Sequence, residues 1–176
     1  MDKKTEIKII ELSPKRWKEY KGLRTEAVSK SAVAFGNTEK EIVSSQNSKW
    51  QQKLKESLEN SGNFWVFAED NGKLVGMMGA YQGDIEKTEH NATIVGVYVN
   101  ENYRGLGLST KMYEVLFKKL KKNKKISRLD LEVTTTQNSA INLYKKLGFK
   151  ETGILHKQLK YKGKYYDQLS MEKLLN

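Results

Sequence analysis

Arg104-Gly105-Leu106-Gly107-Leu108-Ser109 stands where an apolar, β-branched run ends and an amphipathic helical pattern begins. That placement can do chemistry. The first turn of a helix exposes backbone N–H groups without partners, together with the positive end of the helix dipole. Glycines let the backbone approach a ligand with no Cβ in between. Together these features suit a pyrophosphate. Two familiar phosphate loops do not fit. A Walker loop needs Gly-Lys-Ser/Thr, whereas Lys111 follows Ser109-Thr110. A dinucleotide fingerprint needs a glycine at 110 after Gly105 and Gly107, and Thr110 stands there. Other chemistries have little to work with. The absence of cysteine excludes disulfides, thiol nucleophiles and thiolate metal sites. The two histidines, His90 and His156, lie far apart, so no metal is expected.

The loop is positioned by the elements around it. Residues 6–12 read as a first strand. Ser13 then caps a helix with Pro14 at its first position and Trp17, Tyr20, Leu23 and Ala27 on one face. A second helix is predicted to start at Thr38, with Glu41 completing a capping box, and to run unbroken to Ser61-Gly62-Asn63. Asn71-Gly72 between two apolar runs predicts a hairpin. Residues 91–100 form the next strand, and Gly96 inside it marks a bulge or a close backbone approach. The helix after the glycine loop is predicted to bury Leu108, Met112, Val115, Leu116 and Leu120. Leu129, Leu131 and Val133 alternate with Asp130 and Glu132 in a half-buried strand. Asn138 caps a short helix that Gly148 stops, and two last strands turn at Lys162-Gly163. The order β-α-α-β-β-β-α-β-α-β-β is that of a mixed α/β protein.

The length of 176 residues predicts one domain over 1–176. With 38% hydrophobic and 30% charged residues and one proline, the composition is that of a soluble globular chain. No apolar run is long enough to span a membrane, and the first ten residues lack the apolar stretch of a secretory leader, so a cytoplasmic location is expected. The formal charge of +11 favours an anionic partner. Much of it lies in residues 118–128, read as the solvated end of a helix. No nucleic-acid signature or interleaved aromatics accompany that run, so nucleic acid is not the expected partner.

Arg104-x-x-Gly107-x-Ser109, after Val97-Tyr98-Val99, resembles motif A of the Gcn5-related N-acetyltransferases, the GNAT family, with Ser109 where a glycine or alanine is usual. Residues 138–153 resemble the family's motif B through Asn138, Leu143-Tyr144 and Gly148-Phe149, with Ile141 in the usual small-residue slot. The order of the elements matches as well. The resemblance implies a central, mostly antiparallel sheet of about seven strands with about four helices. Its fourth and fifth strands, residues 92–99 and 127–134, would run parallel and splay apart. It implies an acetyl-CoA-dependent acyltransferase, an N-acetyltransferase that moves the acetyl group directly to a primary amine. A small-molecule amine is the expected acceptor. A protein N-terminus or lysine is one alternative, and a non-catalytic acyl-CoA sensor another. A homodimer is an assembly the resemblance allows.

Carried onto this chain, the resemblance assigns cofactor contacts to Val97, Tyr98, Val99, Arg104, Gly105, Leu106, Gly107, Leu108, Ser109, Thr110, Asn138 and Tyr144. Tyr144 is the expected general acid for the departing thiolate. Thr93 occupies the position where several family members carry a glutamate base and cannot act as one, so a water chain is expected, with Glu89 and His90 nearby. The acceptor pocket would lie between the first two helices and the last hairpin. Glu26, Glu39 and Asp167 are the carboxylates considered there, and Phe35 and Trp65 the aromatic walls.

Overall fold

The computed structural model describes residues 7–175. The stretch read as lacking a leader and the start of the first predicted strand fall partly on residues 1–6, outside the described residues. The strands are β1 (Lys8–Ile10), β2 (Asn63–Asp70), β3 (Lys73–Gln82), β4 (Asn91–Val99), β5 (Arg128–Thr134), β6 (Lys150–Tyr161) and β7 (Lys164–Leu174). They form one sheet in the order β1-β2-β3-β4-β5-β7-β6. Every neighbouring pair is antiparallel except β4 and β5, which run parallel. The helices are α1 (Trp17–Lys30), α2 (Glu39–Ser44), α3 (Asn47–Glu59), α4 (Leu108–Lys122) and α5 (Asn138–Lys146).

The central strands are apolar on both faces because both faces are covered. On β2, Phe64, Val66 and Ala68 join the core that includes Leu108, Met112 and Leu116 of α4 and Tyr144 of α5. Trp65 and Phe67 point the other way, into a second core with Tyr20 and Leu23 of α1 and Trp50 and Leu54 of α3. Both hairpin turns use a left-handed pair, Asn71-Gly72 (φ 47° and 82°) and Lys162-Gly163 (φ 47° and 78°). That backbone matches the right-handed twist of the strands.

Three local readings need correction. The predicted second helix is two helices, α2 and α3, giving five α-helices among the described residues. Ser45 and Gln46 are extended between them, and the break is held by Lys21 Nζ donating to the Val43 and Ser45 carbonyls and by Trp50 Nε1 donating to Ser45 Oγ at 2.7 Å. On α4, Val115 is exposed and Tyr113 is buried in its place, stacked 5.5 Å from Phe117. Asn138 is the first residue of α5 rather than its cap; Gln137 holds that position and makes no side-chain capping bond. The α5 terminus is as expected. Phe149 N donates to the Tyr144 carbonyl and Gly148 N to that of Lys145, a Schellman closure around Gly148 at φ 88°.

The basic run is partly spoken for. Lys119 is buried and paired with Glu11, Lys125 pairs with Glu89 at 2.7 Å, and Arg128 bridges Asp130 and Glu172, each at 3.1 Å.

The capping box at α2 is complete. Glu41 N donates to Thr38 Oγ1 at 3.3 Å, and Glu41 Oε2 accepts from Thr38 N at 2.7 Å. These bonds hold the Glu41 carboxyl below its ordinary pKa, so their contribution is present at neutral pH and fades as pH falls. Thr38→Ala is expected to lower Tm by about 2–4 °C, the usual cost of losing an N-cap in a chain of this size. A thermal melt checks it, and an unchanged Tm would mean that α2 is held by packing alone.

Candidate active site

The site is set by a defect in the sheet. Between the pairs Gly79↔Val95 and Met77↔Tyr98, β4 carries one residue more than β3. The extra residue falls at Gly96-Val97, and Gly96 has φ 65°. Such a bulge bends its strand. β4 pairs with β5 only at Asn91↔Arg128, Ala92↔Leu129 and Thr93↔Asp130. From Ile94 onward the two strands part, and a cavity of about 680 Å³ opens between them.

The wall at the head of α4 comes from the glycine loop. Gly105 and Gly107 lie at φ 77° and 72°, and Gly107 is the N-cap of α4 with no side chain to satisfy the first turn. Arg104 and Gly105 form the corner of a hydrogen-bonded turn that engages the Leu106 N–H, and the N–H groups of Gly107, Leu108, Ser109 and Thr110 have no backbone partner among the described residues. Four consecutive donors, Gly107 to Thr110, and a positive helix end therefore belong to residues that line this cavity, a setting that suits an anion. Nothing lies within 4 Å of where a Cβ would project from Gly105 or Gly107, so the cradle is open. Arg104 closes the corner, its Nε donating to the Val99 carbonyl at 3.2 Å.

Ten of the twelve assigned cofactor residues line this one cavity: Val97, Tyr98, Val99, Arg104, Gly105, Gly107, Leu108, Ser109, Thr110 and Tyr144. Tyr98 contributes backbone only, since its side chain is buried on the opposite face and its hydroxyl donates to Glu26 Oε1 at 2.9 Å. Leu106 and Asn138 are exposed and outside the wall.

Tyr144 stands across from the loop. It is buried, its ring packs edge-on against Phe149 at 6.0 Å, and its hydroxyl bonds no described residue. Burial raises its pKa well above the ordinary phenol value, so the hydroxyl stays protonated at neutral pH.

A second cavity, of about 630 Å³, adjoins the first along Ile94, Val95 and Gly96. Its walls come from α1, α2, α3 and the β6–β7 hairpin, with Phe35 and Trp65 among them. Thr93 lines it too. The expected carboxylates do not. Glu26 is engaged by Tyr98 and Asn100, and Asp167 by His156 Nδ1 at 3.0 Å and Lys157 N at 2.7 Å. Glu39 lines a separate pocket. Glu89 and His90 are in neither wall; Glu89 pairs with Lys125, and His90 is exposed.

The residue missed is Glu132. It lies in the wall of both cavities, is exposed, and takes part in no ion pair among the described residues. Its only signal in the sequence was its place on the polar face of β5, alternating with Leu131 and Val133. No group of three or more metal-ligating side chains occurs among the described residues, and none of their helices is long and apolar enough to cross a membrane.

A family model described as the acetyltransferase (GNAT) family matches residues 31–149. An N-alpha-acetyltransferase of Sulfurisphaera tokodaii is 42% identical over 62 residues, which are 35% of this chain and 37% of that protein. The SPbeta prophage-derived uncharacterized N-acetyltransferase YokL of Bacillus subtilis is 30% identical over 116 residues, 65% of this chain and 63% of its own length. The matches thus span less than two thirds of either relative. Among solved structures, yncA of Salmonella typhimurium, with its cofactor acetyl-CoA, superposes with a TM-score of 0.83 at 17% identity, covering 98% of this chain and 95% of that one.

Proposed function

The chain belongs to the GNAT acetyltransferase family, and from that premise we propose that it transfers the acetyl group of acetyl-CoA to the primary amine of a small molecule. The observation that carries this reading is the run of four unpartnered N–H groups, Gly107 to Thr110, at the head of α4, on residues that line the same cleft as Tyr144. Acetyl-CoA supplies an activated thioester. The loop from Gly105 to Thr110 would hold its pyrophosphate, and the unpaired edge of β4 from Ile94 to Val99 would hold the arm.

The chain's own groups then have separate tasks. Glu132, shared by both cavities, takes a proton from the acceptor ammonium, directly or through water, so that the nitrogen can attack. The N–C bond forms and the C–S bond breaks. Tyr144 donates a hydrogen bond to the sulfur as charge collects there. The products are the N-acetylated amine, CoA as its thiol and one proton. The same reading places the enzyme in the cytoplasm, which suits a cysteine-free chain. A peptide N-terminus is the second reading, favoured by the name of the Sulfurisphaera relative.

Calorimetry with acetyl-CoA, followed by CoA release with a panel of amines, tests the proposal. Binding without release from any amine would leave a sensor; no binding would remove the pyrophosphate site. Glu132→Gln is expected to lower kcat/KM by about 10²-fold near pH 7. The loss should shrink as pH rises toward the amine pKa of about 10.4, because solvent then removes the proton unaided. A loss that is equal at every pH would make Glu132 a positioning residue.

A further inference from the structure

The second cavity contains two buried hydrogen-bond donors with nothing to donate to. Arg24 Nη1 and Trp65 Nε1 are each out of contact with solvent and have no hydrogen-bond partner among the described residues. Both residues line that cavity. Arg24 Nη1 and the benzo end of the Trp65 ring meet at the bulge: a Cβ placed on Gly96 would lie 3.3 Å from Arg24 Nη1 and 2.7 Å from Trp65 Cη2. Arg24 is thinly supported otherwise. Its Nη2 makes one long bond, 3.4 Å, to Asn37 Oδ1, and its guanidinium lies 4.5 Å from the Phe35 ring centre. It belongs to none of the ion pairs among the described residues.

A guanidinium stays charged in proteins, and a buried charge without a counter-ion is costly unless a ligand supplies one. The remaining charges in the cavity wall do not supply it. Lys49 and Lys53 add positive charge, and Lys53 Nζ sits 5.5 Å from the ring centres of Trp50 and Tyr81. The Glu41 carboxylate is occupied by the α2 cap. Glu132 remains, at the mouth toward the first cavity.

We propose that the acceptor is a free amino acid or a close analogue, its carboxylate held by Arg24 and its amine presented beside Gly96 on the Glu132 side. The proposal rests on the acetyl-transfer reading and adds the acceptor class to it. Because Arg24 Nη1 lies so close to the bulge, the carboxylate and the amine must be only a few bonds apart. A planar carboxylate suits the guanidinium fork. The reaction converts the amino carboxylate and acetyl-CoA to the N-acetylamino carboxylate, CoA and a proton, with the C–S bond exchanged for an N–C bond and no redox partner.

The test compares free amino acids having small, aliphatic and aromatic side chains with their α-carboxamides and with the matching amines that lack the carboxylate. The readout is CoA release, with acetyl-CoA affinity and Tm measured for every variant. Wild type should favour the acids over the amides by about 10–100-fold in kcat/KM, the range of a hydrogen bond to a charged group. Arg24→Gln should collapse that ratio toward one, and Arg24→Lys should restore part of it. Equal use of acids and amides by wild type would overturn the proposal and point to a peptide N-terminus. So would an Arg24→Gln enzyme that lowers both alike, or a protein that binds acetyl-CoA yet acetylates no free amino acid. Failure to bind acetyl-CoA at all would instead defeat the acetyl-transfer reading.

Discussion

Tyr144→Phe is expected to lower kcat by about 10²–10³-fold, the usual loss when one donor to a developing charge is removed, while acetyl-CoA binds as before. The argument is geometric. Tyr144 sits on α5, whose end is locked by the Schellman bonds at Gly148 and by Phe149 packed against the ring. Its hydroxyl has no described partner and its side chain lines the cleft. Phenylalanine keeps the ring and its packing and removes only the donor. The raised pKa has a consequence of its own. A phenol kept neutral by burial is a weak acid, weaker than a thiol of pKa about 8.5. Its contribution is therefore a hydrogen bond to sulfur as charge develops there, and the net proton reaches the thiolate from solvent. The pH profile should then show no descending limb from Tyr144 between about pH 6 and 10, the range below an ordinary phenol's pKa. Single-turnover rates with a fixed amine, beside calorimetric acetyl-CoA affinities, check both points. A mutant that keeps its full rate would reduce Tyr144 to a core aromatic.

Gly96→Ala is expected to destabilise the protein by about 2–5 kcal/mol, combining left-handed backbone strain with overpacking. Two separate obstacles meet at this residue. Its φ of 65° is a conformation that L side chains rarely adopt. A Cβ there would also stand 2.7 and 2.9 Å from two atoms of the Trp65 ring. The same indole also packs over Gly79, where an added Cβ would stand 2.6–2.7 Å from three of its ring atoms. Two further variants separate the causes. Gly107→Ala meets only the backbone strain, since φ is 72° and the space is open. Gly79→Ala meets only the Trp65 ring. Denaturant melts should rank Gly96→Ala as the most damaging of the three. If Gly107→Ala costs as much, the tight fit of Trp65 against the bulge is not a source of order.

Much of this architecture follows from rules that act within a few residues. Asn71-Gly72 dictates a hairpin because its left-handed turn matches strand twist. Thr38 and Glu41 cap α2 because their side chains reach only backbone close by in sequence. Gly105 and Gly107 announce the cradle because few other residues tolerate their φ. Local rules fail where a distant group intervenes. The extended Ser45-Gln46 step is held partly by Lys21 of α1, which no helical pattern in residues 38–60 contains. Val115 and Tyr113 trade places because the apolar stripe alone leaves the rotation of α4 open by one position. Which of the two is buried depends on Phe117, Phe149 and Lys173, which meet Tyr113.

The sequence by itself determined the order of the strands, the glycine loop between β4 and α4 and the tyrosine that lines the same cavity, because each depends on spacing along the chain. Only the tertiary structure showed which polar residues line the second cavity. Carboxylates such as Glu26 and Asp167 looked as eligible in the sequence as any other, until partners from other elements engaged them. Arg24 and Glu132 looked like ordinary polar residues on a helix and a strand. The bulge at Gly96 parts β4 from β5, and the α1–α3 layer closes over the gap. Among the described residues, that arrangement buries one guanidinium nitrogen without a partner and leaves the Glu132 carboxylate out of any ion pair in the wall of both cavities. Burial and convergence of remote segments are properties of the folded chain, and no spacing rule contains them.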